Sequence, residues 1–212
     1  MKTDDLIRAL TSDLAVPRTS IEQRFATALM PGVLAALVLF AVTIGPRPDF
    51  LAMTGDARFV FKFVITLLLA LCSAMLVWRL ARPAAPARLQ MVALAAVPVV
   101  LAAAVIAELI ALPRPLWTTR LIGSNSLLCL VSIPAFALPM LSAAIYALRH
   151  GAPTRPGFTG IVAGLFAGAV GAAIYAAHCV DDSPLFVALW YSLAIAIVAA
   201  IGGVVGRFAL RW

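Results

Sequence analysis

Residues 176–186, AAHCVDDSPLF, gather a histidine, a cysteine and two aspartates in a chain that is otherwise mostly alanine, leucine and valine. Those residue types suit three kinds of chemistry: metal ligation, thiol redox chemistry, or the solvation of a loop between apolar segments. As a metal site the set is mixed, because thiolates prefer soft ions and carboxylates hard ones. No spacing in the stretch matches a standard site, so His178 and Cys179 stand as the candidate ligands only if a thiophilic ion is held. A polar loop that ends one helix and opens the next at Ser183-Pro184 fits the pattern better, with His178, Asp181 and Asp182 as the setting of the Cys179 thiol.

Other reactive residues are few. The chain has three cysteines, Cys72, Cys129 and Cys179, and no CxxC pair, which excludes a zinc ribbon and a dense disulfide scaffold. There is no glycine-rich phosphate loop after a strand, no GxSxG, no HExxH, and only two histidines. The chain therefore reads as a non-enzyme. Glu108 is the sole carboxylate inside an apolar run, and an acid there is a candidate proton or ion relay. Near the end of its run, it is expected to reach water or to pair with Arg114 or Arg120. Lys62 is expected to snorkel its ammonium to the surface.

The elements that position these residues follow from composition. Hydrophobic residues make up 64% of the 212 and charged residues 12%, about half the charge a soluble domain carries. Long apolar runs alternate with short segments holding almost every Arg and Asp. This is the pattern of an all-α membrane protein, since each span needs about 20 apolar residues and must satisfy its backbone internally. Six transmembrane helices are predicted, at Phe25–Ile44, Phe59–Leu80, Leu89–Leu112, Leu127–Leu148, Phe158–Ala177 and Leu185–Val205. Short loops rich in Pro, Gly or charge join them. The net charge of +7 is spread over these loops, so it points to membrane topology and not to nucleic acid. With the N-terminus cytoplasmic, Lys2, Arg8, Arg18, Arg24, Arg79, Arg82, Arg88, Arg149, Arg155, Arg207 and Arg211 fall inside and Arg47, Arg58, Lys62, Arg114 and Arg120 outside. That bias places both termini in the cytoplasm. Two regions result: a cytoplasmic amphipathic tail, 1–24, and a six-helix transmembrane domain, 25–212. The tail lacks the layout of a cleavable signal peptide.

In this topology Cys129, at the start of the fourth span, and Cys179, just past the fifth, share the outer face. If that face is the oxidising side of a bacterial inner membrane, a disulfide is chemically open to them. It requires Cα atoms within about 7 Å, which the topology permits; simple packing of two small residues is the alternative. Cys72 lies deeper and reads as packing. Gly160, Gly164, Gly168 and Gly171, with Gly202 and Gly206, set small residues at the interval that lets helices approach closely, within the chain or between copies. Pro98, Pro134 and Pro139 are expected to bend their helices. In the tail, Thr3 can cap a helix with Asp4 and Asp5 at its positive end. Leu6, Ile7, Leu10 and Leu14 then form one apolar stripe. The stripe suits a protein groove or a membrane surface, and the matching acids Asp4, Asp5, Asp13 and Glu22 distinguish it from the usual basic surface helix.

The opening MKTDDLIRAL-TSDLA, six short-looped spans and an HC pair at the outer end of the fifth span together resemble the NrsF-type negative regulators of ECF sigma factors, over essentially the full length. The resemblance implies a bacterial inner-membrane anti-sigma factor that holds its ECF sigma factor inactive until an oxidative or heavy-metal stress is sensed. It also implies a sensing role for Cys129 and Cys179. Sigma binding would fall on the tail, at Thr3, Asp4, Leu6, Ile7, Leu10 and Asp13. No resident cofactor is expected beyond the bilayer and the sigma partner; a Cys129–Cys179 disulfide or a transient thiophilic metal ion would belong to the sensing event. A small transporter or permease using Glu108 is the alternative reading.

Overall fold

The computed structural model describes residues 21–82 and 86–211, together with Thr3 and Asp5. Apolar runs become helices wherever no Gly, Pro or charge cluster interrupts them. Helix α1 spans Ile21–Thr43, α2 Ala57–Leu80 and α3 Arg88–Ala111. A short α4, Trp117–Ile122, precedes α5, Ser126–Leu148. The last two are α6, Pro156–Ala176, and α7, Pro184–Ala209, whose residues Val187–Tyr191 form a π-helical segment. No strand occurs among the described residues.

Local chemistry sets several of the ends. Asp56 accepts hydrogen bonds from the amides of Arg58 and Phe59, both at 2.9 Å, and so caps α2. Pro156 and Pro184 occupy first-turn positions, where their missing N–H groups cost nothing. Arg79 and Arg207 sit in the last turns of α2 and α7, where the helix dipole favours a cation.

By length and composition, α2, α3, α5, α6 and α7 lie in segments able to cross a membrane, and α1 contributes the apolar stretch Thr27–Thr43 among the residues whose side chains are described. The six predicted helices are all present. Their outward sides are apolar: Val42, Leu71, Val92, Val99, Ile106 and Val131 are all exposed. Such a girdle matches hydrocarbon and would be a liability in water.

Helix α6 is central and packs against α2, α5 and α7, while α1 lies on α5 and α3 on α2. The glycines of α6 and α7 serve this packing within the chain. A Cβ on Gly164 would come within 2.5 Å of the Val198 carbonyl oxygen, and one on Gly160 would fall on the Gly202 carbonyl oxygen. At the other side of the bundle, a Cβ on Gly32 would meet Ala143 of α5 at 2.8 Å. Helix α3 is the most peripheral, and it buries only Gln90, Val97 and Glu108. Two of those three are polar, and Ala93, Leu94 and Leu101 add a partly buried apolar seam.

Candidate functional site

The two thiols sit together at one end of the bundle. Cys129, in the first turn of α5, and Cys179, three residues beyond α6, are both fully buried free thiols in one apolar cluster that includes Ile133, Tyr175, Phe186 and Tyr191. Cys72, in α2, is also buried in that cluster. The Tyr175 and Tyr191 rings pack 5.8 Å apart beside the thiols, and Tyr191 belongs to the π-helical segment of α7. Burial pushes the Cys179 thiol above its ordinary pKa, against the smaller opposing effect of a hydrogen bond to the Asp181 backbone. Its protonated form therefore dominates at neutral pH.

The backbone around Cys179 is the hub of a polar network. Lys62, reaching from the start of α2, donates to the Cys179 carbonyl at 2.6 Å and to Asp182 Oδ1. Arg47, from the loop after α1, donates to Asp182 Oδ2 at 3.0 Å and to the Cys179 carbonyl at 3.4 Å. The same guanidinium grips Asp49 through Nε and Nη2, at 2.6 and 2.7 Å. The Asp49 hydrogen bond, ahead of Asp182, drives the Arg47 pKa up, and Arg47 in turn lowers that of Asp49. One carboxylate, Asp182, thus bridges two buried cations, and Phe59 covers both, with Lys62 Nζ 4.9 Å and the Arg47 guanidinium 5.5 Å from its ring centre.

Neighbouring residues tie the same loop to the remaining elements. Asp181 accepts from the Ser124 and Asn125 amides at 3.0 and 2.9 Å, holding the turn that leads into α5 and Cys129. That turn needs Gly123 at φ +61, where a Cβ would also strike the Phe186 ring at 2.5 Å. His178 Nδ1 lies 2.9 Å from the Gly45 carbonyl. Ser183 caps α7 and donates to Glu108 Oε2 at 2.6 Å, and the Leu185 amide adds a second bond to that oxygen at 3.3 Å. Arg58 Nε stands 3.3 Å from Glu108 Oε1, an ion pair without hydrogen-bond geometry. Five connections or helix ends therefore converge on residues 178–183.

The description "Negative regulator of sigma F" (NrsF) matches residues 10–212. The chain belongs to the NrsF family. Among its curated NrsF relatives, "Anti-sigma-F factor NrsF" of Caulobacter vibrioides (strain NA1000 / CB15N) is 38% identical over 219 residues, covering 100% of both chains. "Probable anti-sigma-F factor NrsF" of Azospira oryzae (strain ATCC BAA-33 / DSM 13638 / PS) is 34% identical over 214 residues, again covering 100% of each. No solved structure matches this NrsF chain.

Two expectations about this NrsF chain are corrected by the geometry. Lys62 does not snorkel outward: it is 0% exposed, because Asp182 and the Cys179 carbonyl supply a partner at its own depth. Glu108 pairs with neither Arg114 nor Arg120. It is buried and committed to Ser183, Leu185 and Arg58, so its acid acts as an anchor for the start of α7. His178 and Cys179 are adjacent, but the His178 ring turns to Gly45. Among the described residues, no group of three or more His, Cys, Asp or Glu is placed to hold a metal ion. Thr3 of the tail is helical and exposed, whereas Asp4, Leu6, Ile7, Leu10 and Asp13 lie outside the described residues.

Arg47, Asp49 and Arg58 are the network members that sequence reasoning missed, and Ser183 was read only as a helix start. The available signal was charge placement. Lys62 interrupts an apolar run, and the 178–183 loop holds two aspartates without any cation of its own, so each needed the other.

Proposed function

We propose that this chain is a membrane anti-sigma factor that binds an ECF-type sigma factor and releases it when the Cys129–Cys179 pair is modified. The observation that carries the reading is full-length similarity to relatives named anti-sigma-F factors. In this reading the chain resides in the bacterial inner membrane with both termini cytoplasmic. The tail contributes Thr3, Asp4, Leu6, Ile7, Leu10 and Asp13 to the sigma-binding surface. The thiol pair lies at the opposite end of the bundle.

The sensing chemistry follows from two neighbouring buried thiols. Hydrogen peroxide would take two electrons and two protons from the pair, leaving a disulfide and two waters. A thiophilic metal ion would instead displace both protons and hold the two thiolates. Either event changes the separation of the sulfurs, and with it the position of Cys179 relative to α5. The Cys179 carbonyl is bound by Lys62 of α2 and Arg47, so displacement of this residue would pull on α2 as well as on α5 and α6. Only a modest difference is needed downstream: about 1.4 kcal/mol of differential binding changes sigma affinity tenfold.

The test is capture of the sigma factor from cytoplasmic extract by the detergent-solubilised chain, with and without oxidant or cadmium. Capture that stress abolishes in wild type and fails to abolish in Cys129→Ser or Cys179→Ser is expected. Normal release by both serine variants would remove the sensing role. Undiminished capture by a chain lacking residues 1–15 would remove the role of the tail.

A further inference from the structure

The end of the bundle opposite the thiols is chemically different. From residue 27 onward, all the carboxylates (Asp49, Asp56, Glu108, Asp181 and Asp182) belong to the thiol end or its loops. The opposite end carries Arg79, Arg82, Arg88, Arg149, Arg155 and Arg207. Between α1, α2 and α3, this cationic end holds a cavity of about 550 Å³. Leu29, Ala74 and Met75 form its apolar wall, and Arg79 and Arg82 stand at its polar edge beside Trp78. The Arg82 guanidinium lies 5.1 Å from the Trp78 ring centre.

Gln90 completes the lining. It is 7% exposed, and its buried Oε1 has no hydrogen-bond partner among the described residues. A buried amide oxygen without a donor is costly, and it is one of only three residues that α3 buries. The cavity is therefore amphipathic, with cations and an aromatic ring at the edge, an acceptor lacking its donor, and an aliphatic wall.

We propose that this cavity is a binding site for an anionic phospholipid, with the phosphodiester on Arg79 and Arg82, a head-group hydroxyl donating to Gln90 Oε1, and an acyl chain along Leu29, Ala74 and Met75. The inference rests on the membrane-embedded reading. A free phosphate would use the arginines but leave the aliphatic wall bare, whereas a lipid satisfies both. Basic pockets between helices at a membrane surface are suited to such head groups. The site joins α1 to α2 and α3 at the end from which the N-terminal segment emerges, so its occupancy would set the position of that segment's attachment.

The full chain in detergent micelles, titrated separately with dioleoyl phosphatidylglycerol, dioleoyl phosphatidylcholine and inorganic phosphate, tests this by native mass spectrometry. The phosphatidylglycerol adduct should form at least tenfold more tightly than the phosphatidylcholine adduct and should resist excess inorganic phosphate. The Arg79→Gln/Arg82→Gln variant should lose about thirtyfold in phosphatidylglycerol affinity, the factor expected for two cations near a membrane surface. Gln90→Leu should weaken the adduct several-fold without changing net charge, and Arg155→Gln, at an exposed arginine elsewhere on this end, should leave it within twofold. Equal binding of both lipids, an effect of Arg155→Gln as large as that of the double variant, or displacement of lipid by inorganic phosphate would overturn the proposal. A chain recovered outside the membrane fraction would overturn the membrane reading together with the site, whereas a membrane-integrated chain without lipid selectivity overturns the site alone.

Discussion

Removing the Asp182 carboxylate should damage the protein more than removing the lysine it binds. In Asp182→Ala, the fully buried Lys62 ammonium keeps, among the described residues, the Cys179 carbonyl and the Phe59 ring as partners. Breaking a buried pair from one side costs about 3–5 kcal/mol. Arg47 contributes little to that loss, because its two bonds to Asp49 persist. In Lys62→Met, Asp182 retains Arg47 at 3.0 Å and is 12% exposed. The loss is then that of charged hydrogen bonds, about 1.5–3 kcal/mol. The double variant Lys62→Met/Asp182→Ala strands no buried cation, so its cost should lie near that of Lys62→Met alone. Its destabilisation should fall short of the sum of the single variants by at least about 2 kcal/mol. Unfolding in mixed micelles, followed by tryptophan fluorescence, measures all three. Additive losses, or a Lys62→Met variant worse than Asp182→Ala, would refute the claim that Asp182 is the counter-charge sustaining a buried lysine.

Three further outcomes are expected. Alkylation of Cys179, measured by mass spectrometry in Cys72→Ser/Cys129→Ser, should accelerate about tenfold per pH unit between about pH 6 and 8, because a thiol whose pKa is raised by burial stays protonated there and its thiolate fraction climbs with pH; a plateau in that range would contradict burial as the dominant influence. Gly160→Leu should prevent the close seating of α6 on α7 and destabilise by more than the roughly 1–3 kcal/mol of ordinary overpacking, since the contact is backbone, while Gly55→Ala, with nothing within 4 Å, should be close to neutral in the same thermal melt. Asp181→Ala should cost about 1.5–3 kcal/mol through loss of charge-assisted bonds and raise amide exchange at Ser124 and Asn125, whereas unchanged exchange there would show that the turn holds without it.

The helices were legible because each apolar run is long and its interruptions are chemically blunt. Ser183-Pro184 and the Gly160/Gly164 spacing carried their structural meaning in the sequence, since helix starts and close helix approach depend on residues a few positions apart, whereas the Asp56 cap of α2 emerged only with the structure. The shared location of Cys129 and Cys179 also followed from alternation of helix direction, although their burial did not. The network at residues 178–183 was harder to read. Lys62 lies 117 residues from Cys179 and 120 from Asp182, and Glu108 lies 75 from Ser183. Taken singly, an interfacial lysine snorkels and an interfacial acid meets water. Once their partners are buried at the same depth, the paired arrangement replaces both.

By itself, then, the sequence determined the helical class, the boundaries of the apolar segments, the clustering of thiols at one end and the family. Hydropathy, capping and helix direction are local properties summed along the chain, and they survive without knowledge of neighbours. Only the tertiary structure decided that the glycine faces close within one chain, that Asp182 bridges Arg47 and Lys62, and that Glu108 anchors α7. These outcomes depend on which buried charges find a counter-charge within hydrogen-bond reach. Desolvation makes that choice energetically sharp, while sequence separation leaves it invisible until the helices are packed.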